Sequence, residues 1–405
     1  MFRVLLPALF LFLECNGVKK KNILQNVSSR QDTVLKKEVA YNRYWNDLAR
    51  YLGGLPPKEG SVLDSVEYRP DAIAHRDFFE KNWSVKDSIL LKKLSRWSKI
   101  ELEQERKRAH TVLYPFSGPD FVTIHTLFPD ASRYVMFGLE LEGKVPKPSS
   151  LPPAELSQNL KNLAFSLDAI FNKSFFFTLN MSADLYRTSF RGVLPILLAF
   201  VSRCNNEVLE VKHFKINSQG RIEYYPDSVN FVQQTRDTII TGVEILFRSL
   251  EKPSAPIQTL HFLCFDASNG YYKSRPELDA FFLSLEPAYT YIKAASYLLH
   301  GYDFELIRNR LISISAMILQ DDTGIPYRMF DPQQWKIQLY GKYTTPIPIF
   351  ASKYQLDLDR AYASDTTIRP VDFGLGYKAG WGPTNLLKAT RLKKQSLTPE
   401  KKLLN

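Results

Sequence analysis

The sequence predicts an α+β fold, in which a helical N-terminal part packs on an antiparallel sheet core and further helices follow. Helical and strand-like patterns come in blocks and do not alternate strictly, which disfavours a doubly wound parallel sheet. The chain has 405 residues, of which 44% are hydrophobic and 13% aromatic, enough to bury a sizeable core. We therefore expect the globular body, residues 36–390, to be one large domain or two intimately packed halves, 36–150 and 151–390.

The N-terminus predicts export. Residues 4–13 carry no charge and are too few to span a bilayer, so they fit the apolar core of a secretory signal. Cys15 follows at once, and this arrangement resembles a bacterial lipoprotein signal, which implies a signal over residues 1–15 and lipid attachment at Cys15. Phe12 and Glu14 depart from the residues that this pattern has there. Plain secretion, an uncleaved anchor and a cytosolic location stay open.

The net charge of +11 is concentrated in the two tails. Residues 1–40 hold seven basic and three acidic side chains, and residues 385–405 hold six basic and one acidic. A nucleic-acid-binding domain carries its basic patch on the fold itself, so no nucleic acid is expected as a partner. Basic tails suit attraction to an anionic membrane surface, or are simply solvated ends. Residues 16–35 are predicted to be a tether and 391–405 a basic tail.

Apolar residues at helical spacing predict three helices in the first quarter of the body, at 35–52, 71–83 and 84 to about 108. Ser84 with Asp87 three residues later resembles a capping box, which marks the start of the third helix.

Residues 114–143 are the densest run of structural signals. The turn residues 117–120 (SGPD) lead into a predicted strand at 121–127, and a second turn leads into another predicted strand at 134–141. Extended runs joined by short turns predict an antiparallel meander at the centre of the domain.

The rest of the body mixes both element types. The predicted helices and strands are helices at 153–171, 192–202, 277–300 and 304–319, and strands at 208–216, 221–225, 241–250, 257–265 and 337–350. The runs 208–216 and 221–225 flank a Gly-containing turn and predict a hairpin.

Three polar residues of the meander, Ser117, Asp120 and His125, are candidate catalytic residues, because a nucleophile, an acid and a base could face one pocket there. The structural alternative is that Ser117 and Asp120 only form turns and that His125 is a hydrogen-bonded strand residue. Asp322 is a further candidate, since residues 322–324 match the Asp-Thr-Gly triplet of aspartic proteases. That chemistry needs two such carboxylates, so a turn at the end of a helix explains this single copy better.

The sequence predicts no metal site and no cofactor. Cys15, Cys204 and Cys264 lack metal-ligand spacing with one another or with the six histidines. Cys264 alternates with apolar residues and is expected to be a buried free thiol.

The motifs of residues 114–121 (YPFSGPDF), 128–143, 192–203, 321–327 and 340–350 resemble those of a family of uncharacterised exported bacterial proteins. The resemblance covers roughly residues 40–390. It implies a location in the cell envelope and supplies no catalytic residue.

Two functions are therefore expected. The first is a lipid-anchored envelope protein that contacts the membrane through its N-terminus and binds an envelope ligand or protein, or serves in assembly. The alternative is an envelope hydrolase with a Ser/Asp/His site.

Overall fold

A ten-stranded mixed sheet is the centre of the molecule. The structure is a computed structural model that describes residues 42–108, 110–173, 189–226, 239–380 and 382–392. The strands in chain order are β1 (Thr111–Pro115), β2 (Arg133–Gly138), β3 (Asn206–Ile216), β4 (Ile222–Tyr225), β5 (Thr241–Ser249), β6 (Gln258–Cys264), β7 (Ala288–Ile292), β8 (Ser315–Gln320), β9 (Trp335–Gly341) and β10 (Asn385–Arg391).

The sheet is parallel at its centre and antiparallel at both margins. Its strand order is β4-β3-β5-β6-β2-β1-β7-β8-β10-β9. The five strands from β6 to β8 run parallel to one another. The five other pairings are antiparallel. The α+β fold class predicted from the sequence is confirmed, and the parallel centre is the feature that positions the site.

Twelve α-helices accompany the sheet in the described residues. They are α1 (Arg43–Leu52), α2 (Asp64–Glu67), α3 (Pro70–Lys86), α4 (Lys92–Glu101), α5 (Glu103–Arg108), α6 (Phe121–Leu127), α7 (Pro153–Lys173), α8 (Leu194–Arg203), α9 (Asn269–Lys273), α10 (Pro276–Leu283), α11 (Glu305–Ile314) and α12 (Leu356–Ser364).

Each face of the sheet is covered by its own apolar core, because successive strand residues point to opposite faces. In β1, Val112 and Tyr114 join the core under the N-terminal helices and α8, whereas Leu113 joins the core under α10 and α11. The prediction that the helical N-terminal part packs on the sheet is thus confirmed. All described residues belong to one compact unit.

The predicted meander at 114–143 is wrong. Residues 121–127 form helix α6, and the strands on either side of it, β1 and β2, pair in parallel. Asp120 caps this helix by accepting a hydrogen bond from the Thr123 backbone amide. Phe121, Ile124 and Phe128 are buried at helical spacing, a pattern that also reads as a strand over so short a run.

Two predicted long helices each end in a strand. The helix predicted at 277–300 is α10 followed by β7, because Pro287 cannot continue a helix and the run AYTYI is rich in aromatic and β-branched residues. The helix predicted at 304–319 is α11 followed by β8. Conversely, no break occurs at Ser84, which lies within α3, and a π-helical turn, Asp87–Leu91, joins α3 to α4.

Several local predictions are confirmed. Strands β3 and β4 form the predicted hairpin, β5 pairs with β6, and helices α7 and α8 lie where expected. Cys204 and Cys264 are both partly exposed, so the expected burial of Cys264 is wrong.

The predicted signal (1–15) with Cys15, the tether (16–35) and most of the basic tail lie outside the described residues. Within the described part of the chain, no helix combines the length and the apolar character needed to span a membrane.

Candidate functional site

A cleft opens where the strand order reverses. The chain leaves β1 through α6 to β2 on one side, and β7 pairs with the other side of β1. In open sheets of this kind, ligands bind outside the carboxyl ends of the parallel strands at this reversal. The cleft lies there and has a volume of about 130 Å³. One water needs roughly 10–15 Å³, so a small organic molecule can be accommodated.

Four segments line the cleft. They are Tyr114 in β1 with residues 116–118 and Asp120 after it, residues 138–140 at the end of β2, residues 293–296 and Leu298 after β7, and Tyr377 from the C-terminal region. The site therefore joins parts of the chain that are far apart in sequence.

A buried ion pair forms the floor of the cleft. Lys293 Nζ lies 2.5 Å from Asp120 Oδ2, and each side chain is only 2% exposed. The same carboxylate accepts hydrogen bonds from the hydroxyls of Tyr114 (3.0 Å) and Thr123 (2.8 Å). A buried ion pair is favourable only when its remaining polar atoms also have hydrogen-bond partners. For the Asp120 carboxylate, the two hydroxyls provide these partners.

Two further polar groups lie near this pair. Lys86 Nζ donates to the backbone oxygen of Ile170, and burial, helped by repulsion from Lys293, lowers the pKa of Lys86 to about 7. The Tyr291 hydroxyl is buried without a hydrogen-bond partner among the described residues. Burial and the nearby charges of Asp120 and Asp321 raise the pKa of Tyr291 well above its usual value.

The loop after β7 has a constrained backbone. Ala294, Ser296 and Tyr297 all have φ between 50° and 55°, a left-handed conformation that costs non-glycine residues free energy. The loop after β8 holds it: Asp321 Oδ2 accepts from the Ala294 amide (3.0 Å), and Thr323 Oγ1 accepts from the amide of Ala295 (2.8 Å). This wall of the cleft is thus preorganised.

The acidity of Asp321 is altered by its surroundings. Burial, followed by the charge of Asp322, raises the pKa of Asp321 to about 6, although hydrogen bonds from Thr323 and Ala294 act in the opposite direction. An added Cβ at Gly376 would lie 2.7 Å from Asp321 Oδ2 and 3.3 Å from Lys293 Cγ. Asp321 therefore lies next to the ion pair, although it does not itself line the cleft.

Glu140 supplies a second carboxylate at the mouth of the cleft. Its side chain is 6% exposed and folds back over Gly138, where any Cβ would collide with Oε2. The same Cβ position lies 3.6 Å from the backbone nitrogen of Gly118. Glycine at 138 therefore lets the Glu140 carboxylate approach the loop that follows β1.

The four sequence-predicted candidates do not form one site. Ser117 and Asp120 both line the cleft, but the Ser117 hydroxyl donates to the backbone oxygen of Gly118 at 2.7 Å. His125 lies among aromatic side chains near Asn206, and burial lowers its pKa to about 4. Asp322 accepts from Tyr297 and Asn385 in the adjoining core.

No hydrogen bond in the described residues joins any two of Ser117, Asp120, His125 and Asp322, so the geometry gives the Ser/Asp/His arrangement no support. The Asp322 turn also follows strand β8, where the sequence predicted the end of a helix. Within the described ranges, no group of three or more His, Cys, Asp or Glu side chains could hold a metal ion.

Sequence reasoning missed Glu140, Lys293 and Asp321. Glu140 had a usable signal, because an acidic residue about twenty residues after a glycine turn, at the end of a strand, is a feature of nucleotide-binding sheets. Lys293 and Asp321 had no such signal in the sequence, since both lie after strands that were predicted as helix.

Comparisons of this chain with protein-family models, with curated proteins and with solved structures find no match.

We predict that Lys293→Met lowers the free energy of unfolding by about 3–5 kcal/mol, because it leaves the Asp120 charge buried without its cation. Adding Asp120→Asn removes that charge and keeps a good helix cap, so the double variant should be more stable than Lys293→Met alone. Urea denaturation measures both.

Lys252→Met is the control for this cycle. Lys252 pairs with Asp130 at the surface, with side chains 58% and 47% exposed, so its loss should cost at most about 0.5 kcal/mol. If the effects of the two substitutions on the free energy of unfolding are simply additive, Lys293 and Asp120 do not stabilise each other as predicted.

We predict that wild-type stability, measured relative to Asp321→Asn, falls as the pH rises from 4 to 7. The folded protein holds the Asp321 proton up to about pH 6, whereas the unfolded chain releases it near 3.8. The stabilisation is therefore complete below 3.8 and is lost through pH 6, a change of roughly 2–3 kcal/mol.

Chemical denaturation at both pH values measures this difference. Asp266→Asn, at an exposed turn, is the control for an Asp-to-Asn substitution at the surface. A wild-type advantage that grows with pH would contradict the prediction.

Proposed function

We propose that this protein binds a small molecule containing a ribonucleoside in the cleft between β1 and β7. The observation that carries the proposal is the Glu140 carboxylate at the end of β2, beside the loop that follows β1. A carboxylate at this place, about twenty residues after the glycine of the first turn, accepts hydrogen bonds from ribose hydroxyls in nucleotide-binding sheets.

The strand order supports the same ligand class. When the inserted strands β3–β5 are left out, the first five remaining strands lie in the order third, second, first, fourth, fifth, and all are parallel. Doubly wound nucleotide-binding sheets share this order. One fold can host many functions, so the strand order is only supporting evidence. The main evidence for the proposal is the set of residues at the site.

Binding is favoured over hydrolysis by the state of the polar groups. The Ser117 hydroxyl donates to a neighbouring carbonyl and has no hydrogen bond to a base in the described residues. His125, the expected base, lies in an aromatic cluster outside the cleft lining. A nucleophile without a base in reach lacks the activation that acyl transfer needs.

We predict that the wild-type protein binds adenosine, guanosine, cytidine or uridine more tightly than the matching 2′-deoxynucleoside, and that Glu140→Gln loses this preference. The amide accepts a weaker hydrogen bond than the charged carboxylate, so the loss should be about tenfold in the ratio of dissociation constants. Isothermal titration calorimetry with the four nucleoside pairs measures it.

Glu142→Gln is the matched control, since Glu142 is buried two residues away, does not line the cleft and lies 3.5 Å from the Tyr225 hydroxyl. It should keep the preference of the wild type. No binding of any nucleoside, or a preference that survives in Glu140→Gln, would overturn the proposal.

Location is a separate proposal. Its support is the uncharged stretch 4–13 followed by Cys15, together with basic tails suited to an anionic membrane. An exported, lipid-anchored protein of the cell envelope would start at an acylated Cys15. Mass spectrometry of the N-terminal peptide from the native membrane fraction tests this, and a soluble protein that keeps residues 1–14 would contradict it.

A further inference from the structure

We infer that the outward side of helix α4, with the π-helical turn before it, docks on an anionic lipid bilayer. This basic face consists of Ile89, Lys92, Arg96, Lys99 and Ile100, all of them exposed. None of these residues lines the cleft, so the inference does not depend on the ribonucleoside proposal. Its support is the charge of the face, its exposed isoleucines and the place where the C-terminal tail begins.

The five residues form a single stripe on one helix. They recur at helical spacing, three or four residues apart, so their side chains share one side. The opposite side of the same helix is buried in the core through Leu90, Leu94 and Trp97. Because its inner side is fixed in this way, the helix presents the basic face as an ordered surface roughly 16 Å long.

The basic face has an excess of positive charge. Residues 88–100 contain four basic side chains and no acidic one. Lys92 pairs with Asp87 at 2.8 Å, but the Lys92 side chain remains 70% exposed. In the part of the chain that the structure describes, Arg96 and Lys99 form no ion pair. Their charges are therefore available to an anionic surface.

Two isoleucines lie at the ends of the stripe. Ile89 is 53% exposed and Ile100 is 66% exposed. Apolar side chains next to lysine and arginine are typical of helices that lie in the interface of an anionic bilayer. The phosphates of a nucleic acid would attract the same basic residues, but they offer no apolar layer for the isoleucines. The isoleucines therefore favour a lipid partner.

The basic tail of the sequence begins close to the basic face. Lys388 in β10 donates from Nζ to the backbone oxygen of Glu101 at 2.8 Å, and Glu101 is the last residue of α4. Strand β10 ends at Arg391, three residues or roughly 10 Å further along the strand. The basic residues that follow in the sequence are thus attached near α4, where the same anionic surface would attract them.

Co-sedimentation of the full chain with lipid vesicles tests the inference. Every protein carries Cys15→Ser, so that lipid attachment at this residue does not contribute to binding. The vesicles consist of phosphatidylcholine, with or without anionic phosphatidylglycerol. We expect binding to the anionic vesicles to be at least about tenfold tighter than binding to the neutral vesicles.

A triple variant removes the charges of the basic face. Lys92→Gln, Arg96→Gln and Lys99→Gln together should weaken binding to anionic vesicles at least about tenfold, since each basic side chain near such a surface contributes roughly fivefold. The matched control removes three exposed charges in or beside helices α9 and α12, which pack on the other core. This control, Lys273→Gln with Lys353→Gln and Arg360→Gln, should weaken binding by less than about threefold.

A double variant tests the apolar part of the basic face. Ile89→Ser with Ile100→Ser keeps the charge and removes the side chains that would enter the bilayer, so binding to anionic vesicles should weaken by about fivefold or more. Leu283→Ser with Leu356→Ser is its control. These leucines are exposed on helices that pack on the other core, and their loss should change binding by less than about twofold.

Circular dichroism verifies that each variant is folded. If the triple variant and its control weaken vesicle binding equally, only the overall charge matters and the inference is wrong. Unchanged binding in the isoleucine variant also contradicts it. If the triple variant loses binding to a DNA or RNA duplex but keeps vesicle binding, the basic face binds nucleic acid instead. Each of these results leaves the ribonucleoside proposal unaffected.

Discussion

The ion pair between Lys293 and Asp120 is the constraint on which the site depends. Both charges are almost completely removed from water. Such charges destabilise the folded state unless they face each other and their other polar atoms have hydrogen-bond partners. Meeting this condition fixes the start of helix α6, the end of strand β7 and the Tyr114 hydroxyl in one arrangement. These contacts preorganise the residues at the base of the cleft.

The surrounding residues extend this preorganisation to the cleft walls. The left-handed residues after β7 cost free energy, and the hydrogen bonds from the Asp321 turn offset it. The Tyr377 hydroxyl adds a contact to Ser296 at 2.7 Å. A site whose groups are fixed before the ligand arrives loses less entropy on binding.

Patterns within a few residues of the sequence predicted much of the fold. The strand pairings between distant segments could not be predicted in this way. The β3–β4 hairpin and helix α8 were predicted correctly because their turn residues and apolar spacing lie within a few residues. Parallel pairing of β1 with β7 joins segments far apart in sequence and leaves no local trace. Turn chemistry led to Ser117 and Asp120, both of which line the cleft. Nothing near Lys293 in the sequence marks it as the partner of Asp120.

The separation between the two partners also affects how the protein is made. Asp120 and Lys293 are 173 residues apart, so a chain emerging from the ribosome exposes the Asp120 loop long before its cation exists. Strand β1 meanwhile lacks its neighbour β7 and presents an unpaired edge at the middle of the future sheet. Contacts of such long range form slowly. The half-made chain therefore remains open at its centre and exposed to aggregation until β7 arrives.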